Sequence, residues 1–335
     1  MRQYLYFLLL FCSPFLLLAD EAGCQSIQDD LLRLECYDEL SGESSPLNES
    51  KVIKSGNDEV TQELSTESLL SERWELDSDP GEFIFRPYKP VYFFPIFYSH
   101  QVNNTPHTPT RESTAVSDFS LDQVETKFQL SFKTKLAKSL LGDNGDLWLG
   151  YTQSSHWQLY NSNISRPFRE TNHEPELIFT WRTQYAWSDY TGRLLSLSVN
   201  HQSNGRGEFL SRSWNRLILT IGLDKPDWAV MLRPWWRIPE SYSDDDNPDI
   251  ENYLGRAELL IVHRKRNSHQ ISGLIRHSLR DGSDSRGSLN LDWSYPCFDR
   301  LRCHAQLFTG YGESMIDYNH ATTTIGLGIS LLEWF

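Results

Sequence analysis

The sequence predicts an all-β protein: an antiparallel transmembrane β-barrel of about twelve strands with an N-terminal periplasmic extension. From about Tyr88 onward, apolar and polar residues alternate in segments of about ten residues separated by turns, which is typical of membrane barrels. The chain is also rich in aromatic residues, with 11 Trp, 15 Tyr and 17 Phe. It ends in Phe335, which resembles the assembly signal of outer-membrane proteins. A soluble β-sandwich would show the same alternation, but the aromatic content and the terminal Phe favour the barrel.

The alternating segments divide the chain into about twelve candidate strands, an even number as single-chain bacterial barrels require. Their approximate centres are Phe94, Leu130, Leu149, Phe179, Leu197, Leu219, Leu232, Leu260, Leu274, Leu291, Leu307 and Ile329. In the last segment, one row of side chains is expected to share a face. This row consists of Ile325, Leu327, Ile329, Leu331, Glu333 and Phe335.

Both chain ends are expected in the periplasm, so the connections after odd-numbered strands face outside the cell. Four segments then lie at the extracellular rim: the one with Ser165, residues 203–215, residues 244–249 and the one with Asp317. The alternation turns Glu125, Lys127 and Lys133 inward, which indicates a narrow interior filled by polar groups.

The N-terminal 85 residues are expected to lie outside the barrel domain, which is predicted to span residues 86–335. Residues 1–19 predict a signal peptide, with Arg2 before an apolar segment. Residues 20–85 carry 18 acidic and 4 basic residues, a balance of −14 that equals the net charge of the chain. This composition predicts a largely flexible periplasmic extension, with a short amphipathic helix from Ile27 to Leu40. The barrel domain is therefore close to neutral, and the sequence gives no support for nucleic-acid binding.

Four cysteines follow the predicted signal peptide, and export permits disulfides between them. Four cysteines allow three pairings. The pairs nearest in sequence, Cys24–Cys36 and Cys297–Cys303, are the simplest expectation. Neither pair lies near the candidate chemistry, so both are expected to be structural.

A group of polar side chains lies in phase with the apolar face of three predicted strands. His201 and Ser203 follow Leu195, Leu197 and Val199 at period two. Asn215 is in phase with Leu217, Leu219 and Ile221 on the next strand, and Gln153 with Leu147 and Leu149 on an earlier one. Polar groups on a lipid-facing surface are costly and usually functional. The alternation therefore predicts a reactive group on the outside of the barrel, near its extracellular rim.

These residue types suit nucleophilic catalysis. Ser203 is a weak nucleophile until a base takes its proton, and His201 is two residues away on the same face. Asn215, across the hairpin, could accept the other imidazole N–H and fix the tautomer, as Asp does in the usual triad. The Asn204-Gly205 turn could aim the backbone N–H of Gly205 at a carbonyl oxygen, as an oxyanion hole requires.

This stretch, together with four further motifs, resembles the outer-membrane phospholipase A family over roughly residues 86–335. The motifs are Tyr151-Thr152-Gln153, Pro167-Phe168-Arg169-Glu170-Thr171-Asn172, Asp246-Asn247-Pro248-Asp249-Ile250 and Gly310-Tyr311-Gly312-Glu313-Ser314. The resemblance implies a twelve-stranded barrel in the outer membrane of a Gram-negative bacterium. It also implies hydrolysis of phospholipid acyl esters, of the phospholipase A1 and A2 and lysophospholipase types, with Ser203, His201 and Asn215.

The resemblance further implies a calcium cofactor and an active homodimer. Calcium would be held by the carbonyl of Arg206, the hydroxyl of Ser211 and the carbonyl of Ser165 from the second copy. A second, carboxylate-based site would map to Glu208 and Asp246, although the family has Asp at the position of Glu208. Gln153 would be a polar dimer contact.

Two other functions fit a barrel of this size. One is a porin or small-solute channel, which would need a wide lumen with long constricting loops. The other is a barrel that binds lipid without cutting it. The polar interior argues against the first, and the intact set of Ser203, His201 and Asn215 argues against the second.

Overall fold

The computed structural model describes residues 68–110, 120–265, 268–298 and 301–335. The predicted signal peptide, the predicted helix from Ile27 to Leu40 and the Cys24–Cys36 pair lie outside the described residues. None of the helices in the described ranges is long and apolar enough to cross a membrane.

The described chain is built of one short α-helix and thirteen strands. They are α1 (Leu69–Trp74), β1 (Phe85–Pro87), β2 (Val91–Ser99), β3 (Val124–Ala137), β4 (Asp146–Trp157), β5 (Phe168–Trp187), β6 (Tyr190–Ser203), β7 (Ser213–Lys225), β8 (Trp228–Ile238), β9 (Ala257–Arg264), β10 (Gln270–His277), β11 (Gly287–Pro296), β12 (Arg302–Tyr311) and β13 (Ala321–Leu332). Each of the twelve predicted strand centres lies within one strand from β2 to β13, so the strand prediction is confirmed.

Antiparallel pairing closes these strands into a barrel. Each strand from β2 to β13 pairs with the next along the chain, and β13 pairs with β2. The short β1 pairs with the second half of β3, where Phe85 is opposite Thr134, whereas β2 pairs with the first half, where Tyr92 is opposite Gln129. Strands β1 and β2 therefore act as one interrupted strand, and the barrel has twelve strands around its circumference.

The connections differ in length between the two ends of the barrel. At one end the strands are joined by short turns, such as the two residues between β5 and β6 or between β7 and β8. At the other end the connections are longer, and they contain all four segments expected at the extracellular rim. The Cys297–Cys303 disulfide lies in the turn between β11 and β12, at the short-turn end.

The outside of the barrel is apolar. Large hydrophobic side chains alternate with buried polar ones and remain exposed on nearly every strand. Examples are Leu130, Leu149, Leu177, Val199, Leu232, Trp236, Leu291, Leu307 and Leu327. Such a surface is stable only in an apolar solvent, which is the reason membrane barrels show this pattern.

The inside of the barrel is filled by charged side chains that neutralise one another. Glu125, Lys127 and Lys133 are all buried, as predicted. Lys127 Nζ lies 2.7 Å from Glu313 Oε1, and comparable ion pairs cross the lumen elsewhere. They include Lys89–Glu174, Arg169–Glu125, Arg233–Glu258 and Arg233–Glu176. A cavity of about 160 Å³ remains among these groups. The interior is thus a polar core with little free space, which argues against a wide channel.

Helix α1 fills the short-turn end of the barrel. Its N-cap Ser68 accepts a hydrogen bond from the backbone N–H of Ser71, and its Leu70 N–H donates to Asp224 Oδ2 on β7 at 3.1 Å. Trp74 packs edge-on against Trp148, with ring centroids 6.1 Å apart. Residues 68–76 therefore pack against the barrel.

The end of the chain departs from the predicted row of side chains on one face. Ile325, Leu327 and Leu331 are exposed, as expected, but Glu333 and Phe335 are buried. A register shift between Ser330 and Leu332 breaks the alternation before the terminus. The ring of Phe335 then joins the hydrophobic cluster around α1. The expectation that Glu333 and Phe335 share a face with Ile325, Leu327 and Leu331 was therefore wrong.

Trp74 connects α1 to the barrel wall and covers the buried ammonium of Lys133, which lies 3.2 Å from the centroid of its ring. We expect Trp74→Ala to lower the free energy of unfolding by about 3–5 kcal/mol, because it removes a buried aromatic side chain and leaves a cavity. The measurement is the temperature at which the protein unfolds in detergent. Unfolding is followed by electrophoresis, in which the folded barrel and the unfolded chain migrate differently. The control is Tyr242→Ala, because Tyr242 is 69% exposed. An equal change for both variants would contradict the role given to Trp74.

Candidate active site

The polar residues predicted to face outward do so. On β6 Leu197 and Val199 are exposed on the outside, whereas Asn200 is fully buried inside. His201 continues the outward row and is directly opposite Asn215 on β7. Since opposed side chains on one face of an antiparallel pair lie within contact distance, the register alone brings the two together.

A hydrogen bond joins His201 to Asn215. The distance from His201 Nδ1 to Asn215 Oδ1 is 2.8 Å. Because an amide oxygen only accepts, Nδ1 must carry the proton, and Nε2 keeps a lone pair. That is the tautomer a general base requires. The other end of the amide is also held, since Asn215 Nδ2 donates to Glu240 Oε1 at 2.9 Å. The sequence analysis missed Glu240, which follows β8 in a connection that has no periodic pattern.

Ser203 ends β6 on the same face as His201. It is opposite Ser213 on β7 and opposite His173 on β5. Within the described part of the chain, Ser203 Oγ makes no hydrogen bond. Hydrogen bonds of catalytic groups often form only when substrate is present, so the placement on one face is the relevant observation.

The loop after Ser203 is organised by the side chain of Asn204. Its Oδ1 accepts from the backbone N–H of Arg212 at 3.0 Å and of Arg206 at 3.3 Å, and its Nδ2 donates to the carbonyl of Leu210 at 2.7 Å. Gly205 has a φ of +61°, a conformation that side chains disfavour. The buried amide thus shapes the loop, and glycine permits the turn beside the serine.

The neighbouring rim loop, residues 244–249, is fastened to the start of β7. Asn247 exchanges two hydrogen bonds with the backbone of Ser213, both at 2.9 Å. The hydroxyl of Tyr318 donates to Asp249 from a third rim connection. Burial raises the pKa of Tyr318 above its usual value, so this phenol stays protonated and remains a donor. The predicted site therefore lies beneath a connected set of loops.

A second polar cluster lies beside the site on the outer face of β4 and β5. Tyr151 Oη lies 2.8 Å from His173 Nδ1 and donates to Gln153 Oε1 at 3.2 Å. His173 in turn occupies the register position next to Ser203. Gln153 is therefore on the outer face, as predicted. His173 was not singled out from the sequence, although it alternates in phase with the exposed Leu177.

The residues expected to bind calcium are placed in three separate connections. Ser211 Oγ donates to Asp246 Oδ2 at 2.5 Å, which joins one residue from each expected site. Ser165 has a φ of +62° and ends a short 3₁₀ turn in the connection between β4 and β5. Glu208 begins another 3₁₀ turn, but the position of its side chain lies outside what the structure describes. No group of three or more His, Cys, Asp or Glu side chains suited to a metal ion occurs among the described residues.

Comparisons with known proteins agree with this fold. The sequence profile of the phospholipase A1 family matches residues 70–331. A relative from Neisseria meningitidis serogroup B is 32% identical, and the alignment covers 91% of this chain and 89% of the relative. The crystal structure of the Salmonella typhi outer membrane phospholipase dimer with bound calcium superposes with a TM-score of 0.68. The two sequences are 34% identical, and the superposition covers 78% of this chain and 96% of the Salmonella typhi chain.

A third comparison is with an enzyme variant. It is the outer membrane phospholipase A of Escherichia coli, solved as an active-site mutant in which an asparagine is replaced by alanine. Its sequence is also 34% identical to this chain, and its structure superposes with a TM-score of 0.68. The superposition covers 78% of this chain and 96% of the Escherichia coli chain. These matches and the twelve-stranded barrel define an integral outer-membrane protein of a Gram-negative bacterium. The chain belongs to the phospholipase A1 family.

Proposed function

We propose that this protein is an outer-membrane phospholipase that hydrolyses acyl ester bonds of glycerophospholipids at the outer surface of its barrel. Phospholipase A1, phospholipase A2 and lysophospholipase reactions use the same chemistry and are all included. The observation that carries the proposal is the hydrogen bond between His201 and Asn215 on the lipid-facing side, next to Ser203. A pair in this position meets its substrate in the membrane.

In the first step Ser203 Oγ attacks the ester carbonyl carbon while Nε2 of His201 takes the hydroxyl proton. Asn215 keeps the imidazole in the Nδ1–H tautomer and in the plane of the attack. The carbonyl oxygen becomes negatively charged, and the backbone N–H of Gly205 is the proposed donor to this oxyanion.

In the second step the tetrahedral intermediate collapses. The bond to the glycerol oxygen breaks, and His201 returns the proton to that oxygen, so the lysophospholipid leaves as an alcohol. Water then attacks the acyl-enzyme with His201 as the base, and the fatty acid is released while Ser203 regains its proton. The amide of Asn215 supports the imidazolium formed in each half of the cycle.

Calcium fits the proposed site. The hydroxyl of Ser211 and the backbone carbonyl of Arg206 are oxygen ligands of the kind that Ca²⁺ prefers. The 2.5 Å contact between Ser211 and Asp246 shows that oxygens from two rim loops already meet there. When bound near Gly205, the ion would supply positive charge for the oxyanion. The second site, with Glu208 and Asp246, is proposed on the same chemistry.

A homodimer would complete the site. The carbonyl of Ser165 from the second copy would be a further calcium ligand, and Gln153 would lie in the contact between the two barrels. An enzyme that attacks its own membrane must be inactive by default, and a site shared between two copies provides that control. The Salmonella typhi structure, a dimer with bound calcium, supports this assembly by similarity.

The central test is Ser203→Ala in mixed phospholipid–detergent micelles containing calcium. We expect the variant to fold normally and to release fatty acid at least about 1000-fold more slowly, because it lacks the nucleophile. Ser196→Ala is the matched control, since Ser196 lies on the same strand but is buried on the luminal side. Retained turnover in Ser203→Ala would show that another residue is the nucleophile.

Two further measurements test the alternative functions. Conductance across a planar bilayer would favour the porin function. Lipid binding without turnover would favour the lipid-binding function.

The calcium site is tested with Ser211→Ala. Loss of one oxygen ligand should raise the calcium concentration for half-maximal fatty acid release by about 10–100-fold, the range for altered metal sites. Maximal turnover at saturating calcium should fall much less. The control is Ser285→Ala, in the connection between β10 and β11. An unchanged calcium midpoint in Ser211→Ala would remove this hydroxyl from the ligand set.

The dimer is tested with Gln153→Leu. A polar contact between membrane-embedded surfaces is worth about 1–2 kcal/mol, so dimer formation should weaken by about 10-fold. The measurement is chemical cross-linking in micelles as the ratio of protein to detergent is lowered. Thr309→Val on β12 serves as the control, because this residue is also polar and exposed. Full turnover by a cross-linked monomer would show that a second copy is not required.

A further inference from the structure

The hydrogen bonds of the site extend one residue beyond the predicted set. His201 Nδ1 bonds to Asn215 Oδ1 at 2.8 Å, and Asn215 Nδ2 donates to Glu240 Oε1 at 2.9 Å. Both polar ends of the amide are therefore occupied, one by the imidazole and the other by a carboxylate. The result is a continuous chain from Glu240 to the proposed base.

Glu240 lies in the rim connection, where a charge is less costly than on the lipid-facing part of a strand. Asn215 is opposite Ile238, the last residue of β8, and Glu240 follows two residues later in the rim connection. Its side chain is half-buried, whereas a carboxylate at the strand position itself would face lipid. Arg237, near the end of β8, bonds to Asp245 Oδ2 at 2.6 Å and to the carbonyl of Pro248.

We propose that Glu240 is a positioning residue of this active site, which acts on His201 through the amide of Asn215. The inference rests on the proposed function and adds a residue to it. Two physical effects follow from the geometry, one on the orientation of the amide and one on its polarity.

The first effect concerns orientation. An amide can turn by 180° and exchange its oxygen and nitrogen at little cost, unless its partners distinguish them. Glu240 is an acceptor only, so it must face the NH₂ group, and Oδ1 must then face His201. Without Glu240 the amide could present NH₂ to the imidazole, which would then protonate on Nε2 and lose its function as a base.

The second effect concerns charge. His201 becomes an imidazolium when it takes the proton of Ser203. A carboxylate that accepts from Nδ2 polarises the amide and makes Oδ1 a stronger acceptor for the imidazolium N–H. The three residues thus perform together what a single Asp performs in a soluble triad, with the charge one residue further from lipid.

The first experiment compares Glu240→Ala and Glu240→Gln by the release of fatty acid from phospholipid–detergent micelles with saturating calcium. We expect Glu240→Ala to lower kcat about 10-fold, a typical loss when a residue that orients a ligand or base is removed, with little change in KM. Glu240→Gln keeps an acceptor oxygen and should lose less. Glu251→Gln is the control, a carboxylate in the same connection that pairs with Arg256.

The second experiment introduces Glu240→Gln into a variant that already carries Asn215→Asp. There the carboxylate contacts His201 directly and repels Glu240, so Glu240→Gln should now raise kcat rather than lower it. A merely structural role for Glu240 would give a loss in both backgrounds, and that result would overturn the proposal. So would a kcat of Glu240→Ala within twofold of the native chain. If the native chain itself shows no turnover that depends on Ser203, it is the proposed function that fails.

Discussion

The register between β6 and β7 is the constraint on which the rest of the site depends. It puts His201 opposite Asn215 and Ser203 opposite Ser213, all on the outer face. A slip of one residue would turn every side chain of β6 to the other face, so His201 would enter the lumen and Asn200 would meet lipid. Closure of the barrel prevents such a slip, because each strand from β2 to β13 is paired on both sides.

The polar interior supports this register from within. Asn200, between Val199 and His201 in sequence, donates to Glu174 and accepts from Arg216 on β7. These luminal bonds join β5, β6 and β7 directly behind the reactive face. A slipped strand would leave buried charges without partners, which costs several kcal/mol. The inside of the barrel thereby fixes the geometry on its outside, although no luminal residue takes part in the proposed reaction.

Sequence periodicity predicted most of the fold, because one physical rule governs every strand. Most residues on the strands of a membrane barrel are either apolar and outside or polar and inside, so all twelve strand centres could be found. The rule fails where the chain leaves the sheet. A register shift near Ser330 turned Glu333 and Phe335 inward, and α1 lies inside the barrel, where period two has no meaning.

The site residues that lie on strands could be predicted from the alternation. Those in the connections could not, because the alternation ends with the strand. His201, Ser203, Asn215 and Gln153 are strand residues, and their polarity in an apolar row made them conspicuous. Glu240 lies in a rim connection, where a carboxylate is ordinary and only the folded path of the chain reveals its contact with Asn215. His173 was overlooked because its neighbours in the outward row, Thr171 and Pro175, do not mark an apolar face.

The use of an amide next to the proposed base follows from the membrane. A carboxylate hydrogen-bonded to the imidazole would stabilise the imidazolium more strongly, but a charge on the lipid face of a barrel is destabilising, and the more so the deeper it lies. Asn215 avoids that cost, because an amide carries dipoles and no net charge. The loss in acceptor strength is offset if a carboxylate at the watery rim polarises the amide from its other end. Glu240 follows the end of β8 in the rim connection, and its side chain reaches Asn215. The boundary between lipid and water thus separates two tasks that a single aspartate performs in water: contact with the base and provision of the charge.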